Sequence, residues 1–285
     1  PEVTVLPRTM AFGFYDQKVV AAIERVADHL PQPPEHAPRQ RYWTIRATEV
    51  VLATGAHERL IAFPGNDRPG VLLAGAAQTY LNRFGVKVGN RPVVVTAHDS
   101  AWHAAFDLAE AGAKPVAIVD VRPSVDRALA ERACNLGIET LLGHTASGTA
   151  GRLRVKSLRV NRTKGGKAGE ARTIPCDAVL MCGGWTPCLH LFSHTQGKLA
   201  WNEAAQCYLP GTKTEAVQIA GAGRGLWGIA AALEDGAKAG ALAAKDAGSE
   251  AEAPAFTVSA DRIGSGVTLR ELPTDRDPGK AKAFI

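Results

Sequence analysis

The chain has no Cys-x-x-Cys pair, no run of about 18 strongly apolar residues, no stripe of basic residues and no intact Gly-x-Gly-x-x-Gly turn. Each gap removes a class of protein. Without paired thiols there is no dithiol redox centre. The five cysteines (Cys134, Cys176, Cys182, Cys188, Cys207) are odd in number, and no signal peptide precedes them, so they read as reduced thiols in a cytoplasm. Without a long apolar run nothing spans a bilayer; the alanine-rich residues 230–244 are broken by Glu234, Asp235 and Lys238. The net charge of +5 and pI near 9.0 could suit nucleic acid, but the lysines and arginines are scattered among 28 acids. The charge reads as solubility, not as a nucleic-acid face. The first residue is Pro1 instead of Met, and a strand-like VTVL follows at once, as expected of a piece of a longer fold.

What is present centres on residues 49–64, EVVLATGAHERLIAFP. Val50, Val51 and Leu52 make a short apolar strand. Ala53-Thr54-Gly55 then turns the chain, and Gly55, lacking a Cβ, tolerates positive φ and lets a phosphate-bearing ligand approach the backbone. Arg59 follows, and Pro64-Gly65 closes the segment. The segment resembles the Ala-Thr-Gly stretch of flavoproteins built from two dinucleotide-binding domains. Before it, residues 3–15 read as a strand or hairpin arm, Asp16 as the cap of a short helix reaching Val26, and residues 41–47 as a strand. Residues 74–84 carry helix signals.

Residues 92–120 form the clearest βαβ unit. Val93-Val94-Val95 is a buried parallel-type strand, Asp99 or Ser100 supplies an N-cap, residues 101–111 have helical spacing and residues 116–119 give the next strand, ended by Asp120. On the dinucleotide fingerprint, however, the glycine positions are Thr96, His98 and Ala101. A side chain at His98 would occupy the pyrophosphate's place. The unit is therefore read as a scaffold, or as a polar pocket of Thr96, His98, Asp99 and Ser100 for another ligand such as a flavin phosphate shared with a second subunit. A helix over residues 124–136 and a basic hairpin over residues 159–172, with a solvated KGGKAG tip, come next. Strand residues 178–182 lead into Gly183-Gly184-Trp185-Thr186-Pro187, which resembles the Gly-x-x-Pro crossing of the same flavoproteins. Cys188, His190 and His194 lack a carboxylate or second thiolate nearby and are not read as a metal site. Val217-Gln-Ile-Ala runs into Gly221-Ala-Gly-Arg-Gly and a long helix over residues 226–247, whose N-terminus suits an anion. Ala222 stands where those flavoproteins place an Asp for the ribityl chain, which favours a ligand without one, such as NAD. Residues 248–285 read as a linker or tail.

These features predict an α/β fold: a Rossmann-like parallel-sheet domain (residues 89–175) inserted in a second, incomplete dinucleotide-binding domain of the disulfide-reductase-like type (residues 1–88 and 176–247). Four longer blocks, residues 51–89, 93–123, 182–201 and 220–240, and the terminal KAFI, resemble the α subunit of heterotetrameric sarcosine oxidase. The resemblance implies oxidation of sarcosine to glycine with oxygen reduced to hydrogen peroxide, the one-carbon unit passing to tetrahydrofolate or leaving as formaldehyde. It implies FAD and the substrate on a β subunit, FMN at the α/β boundary, smaller γ and δ subunits, and a tightly held NAD in the α chain. By the same resemblance Thr54, Gly55, Gly221, Ala222 and Gly223 border the NAD, the backbone near Met10 meets its adenine and Arg59 balances its charge. Each also has a plain reading, as turn hydroxyl, tight turn or surface ion pair. No catalytic residue is expected on this chain. Three alternatives stay open: a related opine or proline oxidase, an NAD(P)H-dependent flavin reductase, which requires the glycine turn and paired thiols absent here, and a non-catalytic scaffold.

Overall fold

The computed structural model describes residues 3–164, 167–212, 217–259, 264, 266, 267 and 269. In chain order the elements are β1 (Thr9–Tyr15), β2 (Val19–Arg25), β3 (Gln40–Arg46), β4 (Val50–Leu52), β5 (Ala56–Glu58), β6 (Val71–Leu73), α1 (Ala74–Phe84), β7 (Pro92–Thr96), α2 (Ser100–Glu110), β8 (Ala117–Asp120) and α3 (Arg127–Asn135). They continue with β9 (Glu139–Leu142), β10 (His144–Ala150), β11 (Ser157–Lys164), β12 (Lys167–Pro175), β13 (Ala178–Cys182), β14 (Trp185–Pro187), α4 (His190–His194), β15 (Leu199–Asn202), β16 (Cys207–Pro210), β17 (Val217–Ile219) and α5 (Ile229–Asp246). Among the described residues no helix is long and apolar enough to cross a membrane. The chain divides into two compact units, one of Pro1–His57 with Thr186–Ile263, the other of Glu58–Trp185 with Gly264–Ile285.

The second unit holds a five-stranded parallel sheet in the order β6-β13-β7-β8-β9. Its strands are apolar on both faces because both are covered, as parallel sheets require. Val94, Ile118 and Leu180 point to a layer with Trp102, Phe106 and Leu108 of α2 and Ala74 and Ala77 of α1. Val93, Val95, Val119, Val179 and Met181 point the other way, onto Ala146, Leu158, Val160 and Ile174 of the antiparallel sheet β10-β11-β12. The βαβ unit expected at residues 92–120 is present, and α1 covers the expected residues 74–84. The division between units differs from the expected boundaries at 88/89 and 175/176. It falls instead at His57/Glu58 and Trp185/Thr186, because β6 and β13 pair side by side in the Rossmann sheet and α1 packs on it. Residues expected to be tail also join this unit: Val267 N–H donates to the Ala97 carbonyl at 2.9 Å and Leu269 packs on the sheet. The KAFI terminus and residues 165–166 of the hairpin tip lie outside the described residues.

The first unit contains the antiparallel sheet β1-β2-β3, the hairpin β15-β16, the parallel pair β17-β4, and helices α4 and α5. Phe14, Leu52, Phe192, Val217 and Ile219 form its core. The short helix expected after Asp16 is a single 3-10 turn, Asp16–Lys18, after which VVAAIER continues as β2. The β-branched and apolar run Val19 to Ile23 gains a cross-strand partner at every position from β3, and from β1 apart from one register shift, which outweighs the helix propensity of the flanking acids. The long closing helix begins at Ile229, three residues later than expected, because Gly225 and Gly228 take φ of 78° and 106°.

Leu180 is fully buried in β13, between β6 and β7. Leu180→Ala is expected to destabilise the protein by about 2–5 kcal/mol, read from urea unfolding, because a close-packed layer only partly refills the hole.

Candidate functional site

In the first unit, β4 and β17 run parallel, with Val50, Val51 and Leu52 opposite Val217, Gln218 and Ile219. Each ends in a glycine turn. Gly55 takes φ of 71°, and a Cβ built there meets nothing within 4 Å, so open space faces this backbone. Thr54 is held: its hydroxyl donates to the Cys188 carbonyl at 2.7 Å, while Cys188 N–H donates to the Gly55 carbonyl at 2.9 Å. At the other turn Gly221 takes φ of 65°. A Cβ on the buried Gly223 would lie 3.2 Å from Ile219 Cγ2, 3.6 Å from Thr54 Oγ1 and 4.0 Å from the Gly55 carbonyl. Thr54, Gly55 and Gly223 are therefore neighbours, at the carboxyl ends of two parallel strands where α/β folds place their ligands. Ala222, half-buried, presents only a methyl group beside them. Met10 lies exposed on β1 of the same unit.

One feature of the second turn escapes sequence reading. The Gly221 N–H donates to Asp235 Oδ2 at 2.9 Å, and Arg224 donates to Asp235 Oδ1 at 2.5 Å. Asp235, fourteen residues on and within α5, thus supplies an anion to this amide. No spacing rule marks it.

Arg59 belongs to the second unit. Its backbone exchanges hydrogen bonds with Gly183 and Gly184, at 2.9 and 2.8 Å, and its guanidinium lies 3.3 Å from where a Gly184 Cβ would stand. Its charge acts on His98 in this unit.

Thr96, His98, Asp99 and Ser100 do come together, at the carboxyl end of β7, but their polar atoms face one another. Thr96 Oγ1 donates to the His98 carbonyl at 2.8 Å and accepts from His98 N–H at 2.9 Å. His98 Nδ1 accepts from Ser100 N–H at 3.1 Å and pairs with Ser100 Oγ at 2.9 Å. Asp99 does not cap α2 through its side chain, contrary to expectation; its carboxylate accepts from Arg122 at 2.7 Å. Arg122 also bonds Asp120, the residue at the ribose-carboxylate position, and Trp102 Nε1 donates to Asp120 at 2.9 Å. Burial works against the Arg122 charge, but the two carboxylates more than offset it and hold its pKa above the ordinary value. Burial pushes His98 below the imidazole range, with Arg122 and Arg59 adding and Asp99 opposing. Gly264 and Gly266 lie against the His98 ring, and Gly266 forms a β-bridge with it. The pyrophosphate's place at this turn is thus filled by the chain itself. The four residues do not fit a dinucleotide or a flavin phosphate in this arrangement, which corrects the expected pocket. An Asp-x-Arg pair directly after a buried strand was the legible warning.

A further polar chain runs beside this cluster. Glu58 Oε2 accepts from Gly75 N–H at 2.8 Å, in the first turn of α1, which has no other side-chain cap. Burial raises the Glu58 pKa, against hydrogen bonds from Cys182 and Gly75. Cys182 Sγ lies 3.4 Å from Ser100 Oγ, which also accepts from Trp185 Nε1 at 3.1 Å. Burial first, and then the Glu58 charge, push the Cys182 thiol up to about 12, so it is no thiolate nucleophile at neutral pH.

Residues 9–209 match the family described as pyridine nucleotide-disulphide oxidoreductase. The chain is similar to sarcosine oxidase subunit alpha of Corynebacterium sp. (strain P-1), 41% identical over 257 residues, which covers 87% of this chain and 26% of that protein. It is likewise similar to sarcosine oxidase subunit alpha of Rhizobium meliloti (strain 1021), 37% identical over 297 residues, covering 100% of this chain and 28% of that protein. The chain thus spans about a quarter of the length of these relatives. Among solved structures it is similar to thioredoxin reductase from Lactococcus lactis, with a TM-score of 0.58 at 16% identity, covering 83% of this chain and 73% of that one. That likeness is one of fold.

Two outcomes test this description. Asp120→Ala leaves Arg122 buried without one of its two carboxylate partners Asp99 and Asp120 and is expected to cost about 3–5 kcal/mol in thermal or urea unfolding, with Asp120→Ala/Arg122→Met recovering part of the loss. Because the folded pKa of Glu58 is raised, the stability it contributes is complete below the ordinary carboxylate range and is lost as pH rises through the folded value. Glu58→Gln, which still accepts from Gly75, is expected to flatten the fall in melting temperature over that window.

Proposed function

Because the chain belongs to the pyridine nucleotide-disulphide oxidoreductase family and its α-subunit likeness runs over most of its length, we propose that it is the nucleotide-binding middle of a sarcosine oxidase α subunit. In this reading the complex oxidises sarcosine to glycine, reduces oxygen to hydrogen peroxide and passes the one-carbon unit to tetrahydrofolate or releases formaldehyde. The substrate and FAD belong to a β subunit, FMN to the α/β boundary, and γ and δ subunits complete the assembly. The α chain described here contributes the NAD site and no catalytic acid, base or nucleophile.

The observation that carries the proposal is the meeting of Thr54, Gly55 and Gly223 at the ends of β4 and β17, beside open space at Gly55. A backbone with φ of 71° and no Cβ lets a pyrophosphate approach closely. Ala222 leaves no carboxylate for a ribityl chain, so the turn pair suits NAD better than FAD. Bound NAD would supply charge and shape to be gripped. Thr54 would fix the turn through Cys188, and Gly223 would keep the floor clear. Binding at the Gly221 amide requires the Asp235 carboxylate to yield its place. The closed state of the Thr96–Ser100 cluster supports a single nucleotide site on this chain, with FMN held elsewhere at the subunit boundary.

The test is to purify the full-length α subunit with its β partner, denature the complex and identify the released nucleotides by mass. NAD is expected alongside FAD and FMN. Gly55→Val, which strains the backbone by about 1–2 kcal/mol and fills the open space, is expected to lower NAD content at least ~10-fold. Gly240→Ala on α5, where a Cβ meets nothing, should leave NAD content unchanged. A wild-type complex that forms hydrogen peroxide from sarcosine yet releases no NAD would refute the site, and one that oxidises opines or proline but not sarcosine would refute the substrate.

A further inference from the structure

Among the described residues, three side chains with metal-binding atoms converge in the first unit: His57, Cys188 and His190, whose ligand atoms all lie within 4.8 Å of one another. Cys188 Sγ and His190 Nδ1 are already 3.3 Å apart, and the rings of His57 and His190 meet edge to face with centroids 6.4 Å apart. His194, the more obvious third member by spacing, points elsewhere; its Nδ1 accepts from the Phe14 N–H at 3.4 Å. The trio is thus assembled by the fold from two segments more than a hundred residues apart, which is why no Cys/His spacing rule finds it.

We propose that His57, Cys188 and His190 bind a borderline-soft divalent transition metal ion, zinc being the reference case. The donor set of one thiolate and two imidazoles suits Zn²⁺ and its neighbours and is foreign to Mg²⁺ or Ca²⁺, which take oxygen. Around one tetrahedral zinc, with nitrogen at about 2.0 Å and sulfur at about 2.3 Å, ligand atoms stand roughly 3.3–3.5 Å apart. The Cys188–His190 pair meets that spacing as it is. The remaining closure falls on His57, whose ring is exposed and can turn. The site is also held at its base. The peptide groups on either side of Cys188 are fixed, its N–H on the Gly55 carbonyl and its C=O by the Thr54 hydroxyl, so little ordering is left for an ion to impose. Three protein ligands leave a fourth position open to water or another small ligand.

The ion is tested on the full-length subunit purified with its partners, stripped of metal by a chelator and titrated with Co²⁺. Wild-type protein is expected to show saturable binding with a thiolate-to-cobalt charge-transfer band and the visible bands of a four-coordinate ion. Bound Co²⁺ or Zn²⁺ is expected to shield Cys188 from iodoacetamide, read by mass. Cys188→Ser should abolish the charge-transfer band, and His57→Ala and His190→Ala should each weaken binding at least ~100-fold, the upper end of what loss of an outer-shell partner costs. Cys134→Ser, at an exposed thiol of the other unit, is the control and should change neither reading. Absence of saturable binding, a band that survives Cys188→Ser, or binding indifferent to both histidine variants would overturn the proposal. Because none of these readings uses a nucleotide, failure here and failure of the NAD assignment are separate outcomes.

Discussion

Two hydrogen bonds, from Thr54 Oγ1 to the Cys188 carbonyl and from Cys188 N–H to the Gly55 carbonyl, fix the turn on which the first unit's candidate site depends. They join segments 134 residues apart in sequence, so the turn is held by tertiary contact and not by its own local sequence. Without them Gly55, with no side chain to anchor it and a left-handed φ, would be among the loosest points of the backbone. With them the residue is both open to a ligand and held in place. The same two bonds position Cys188, so the shape of the nucleotide turn and the convergence of Cys188 with His57 and His190 rest on one constraint.

The second unit settles a different problem. A parallel sheet exposes polar strand ends at its carboxyl edge, and in a nucleotide-binding domain the ligand satisfies them. Here the chain satisfies them internally. Arg122 neutralises Asp99 and Asp120, Trp102 also donates to Asp120 Oδ2, Thr96 closes on His98, and Gly264, Gly266 and Val267 cover the turn. A buried charge triad of this kind is costly to desolvate, and it is stable because every member is paired. The unit keeps the Rossmann layers while the seat of the ligand is occupied by protein.

Much of this was legible from residues alone. Val93-Val94-Val95, the helix from Ser100 and the strand ending at Asp120 announce themselves through apolar runs and helical spacing, and α1 and β13 fall where periodicity puts them. The Thr54-Gly55 and Gly221-Gly223 turns were visible because glycine is the residue such geometry needs. The strand β2 was not, since its acids and alanines suit a helix until the partners on both sides are known. Nor could Arg59 be assigned to its unit, because the chain crosses between units at His57/Glu58, where no sequence signal stands. Asp235, Arg122 and His57 were missed for a common reason. Each acts on atoms brought near by folding, and a side chain's partner across space leaves no periodic trace in sequence.

The covering of the His98 turn by Gly264, Gly266 and Val267 makes the imidazole part of the packing beneath that strap. Histidine at position 98 is then less a broken motif than a sealant, and restoring glycine there alone would open a hollow under the strap without recreating an affinity.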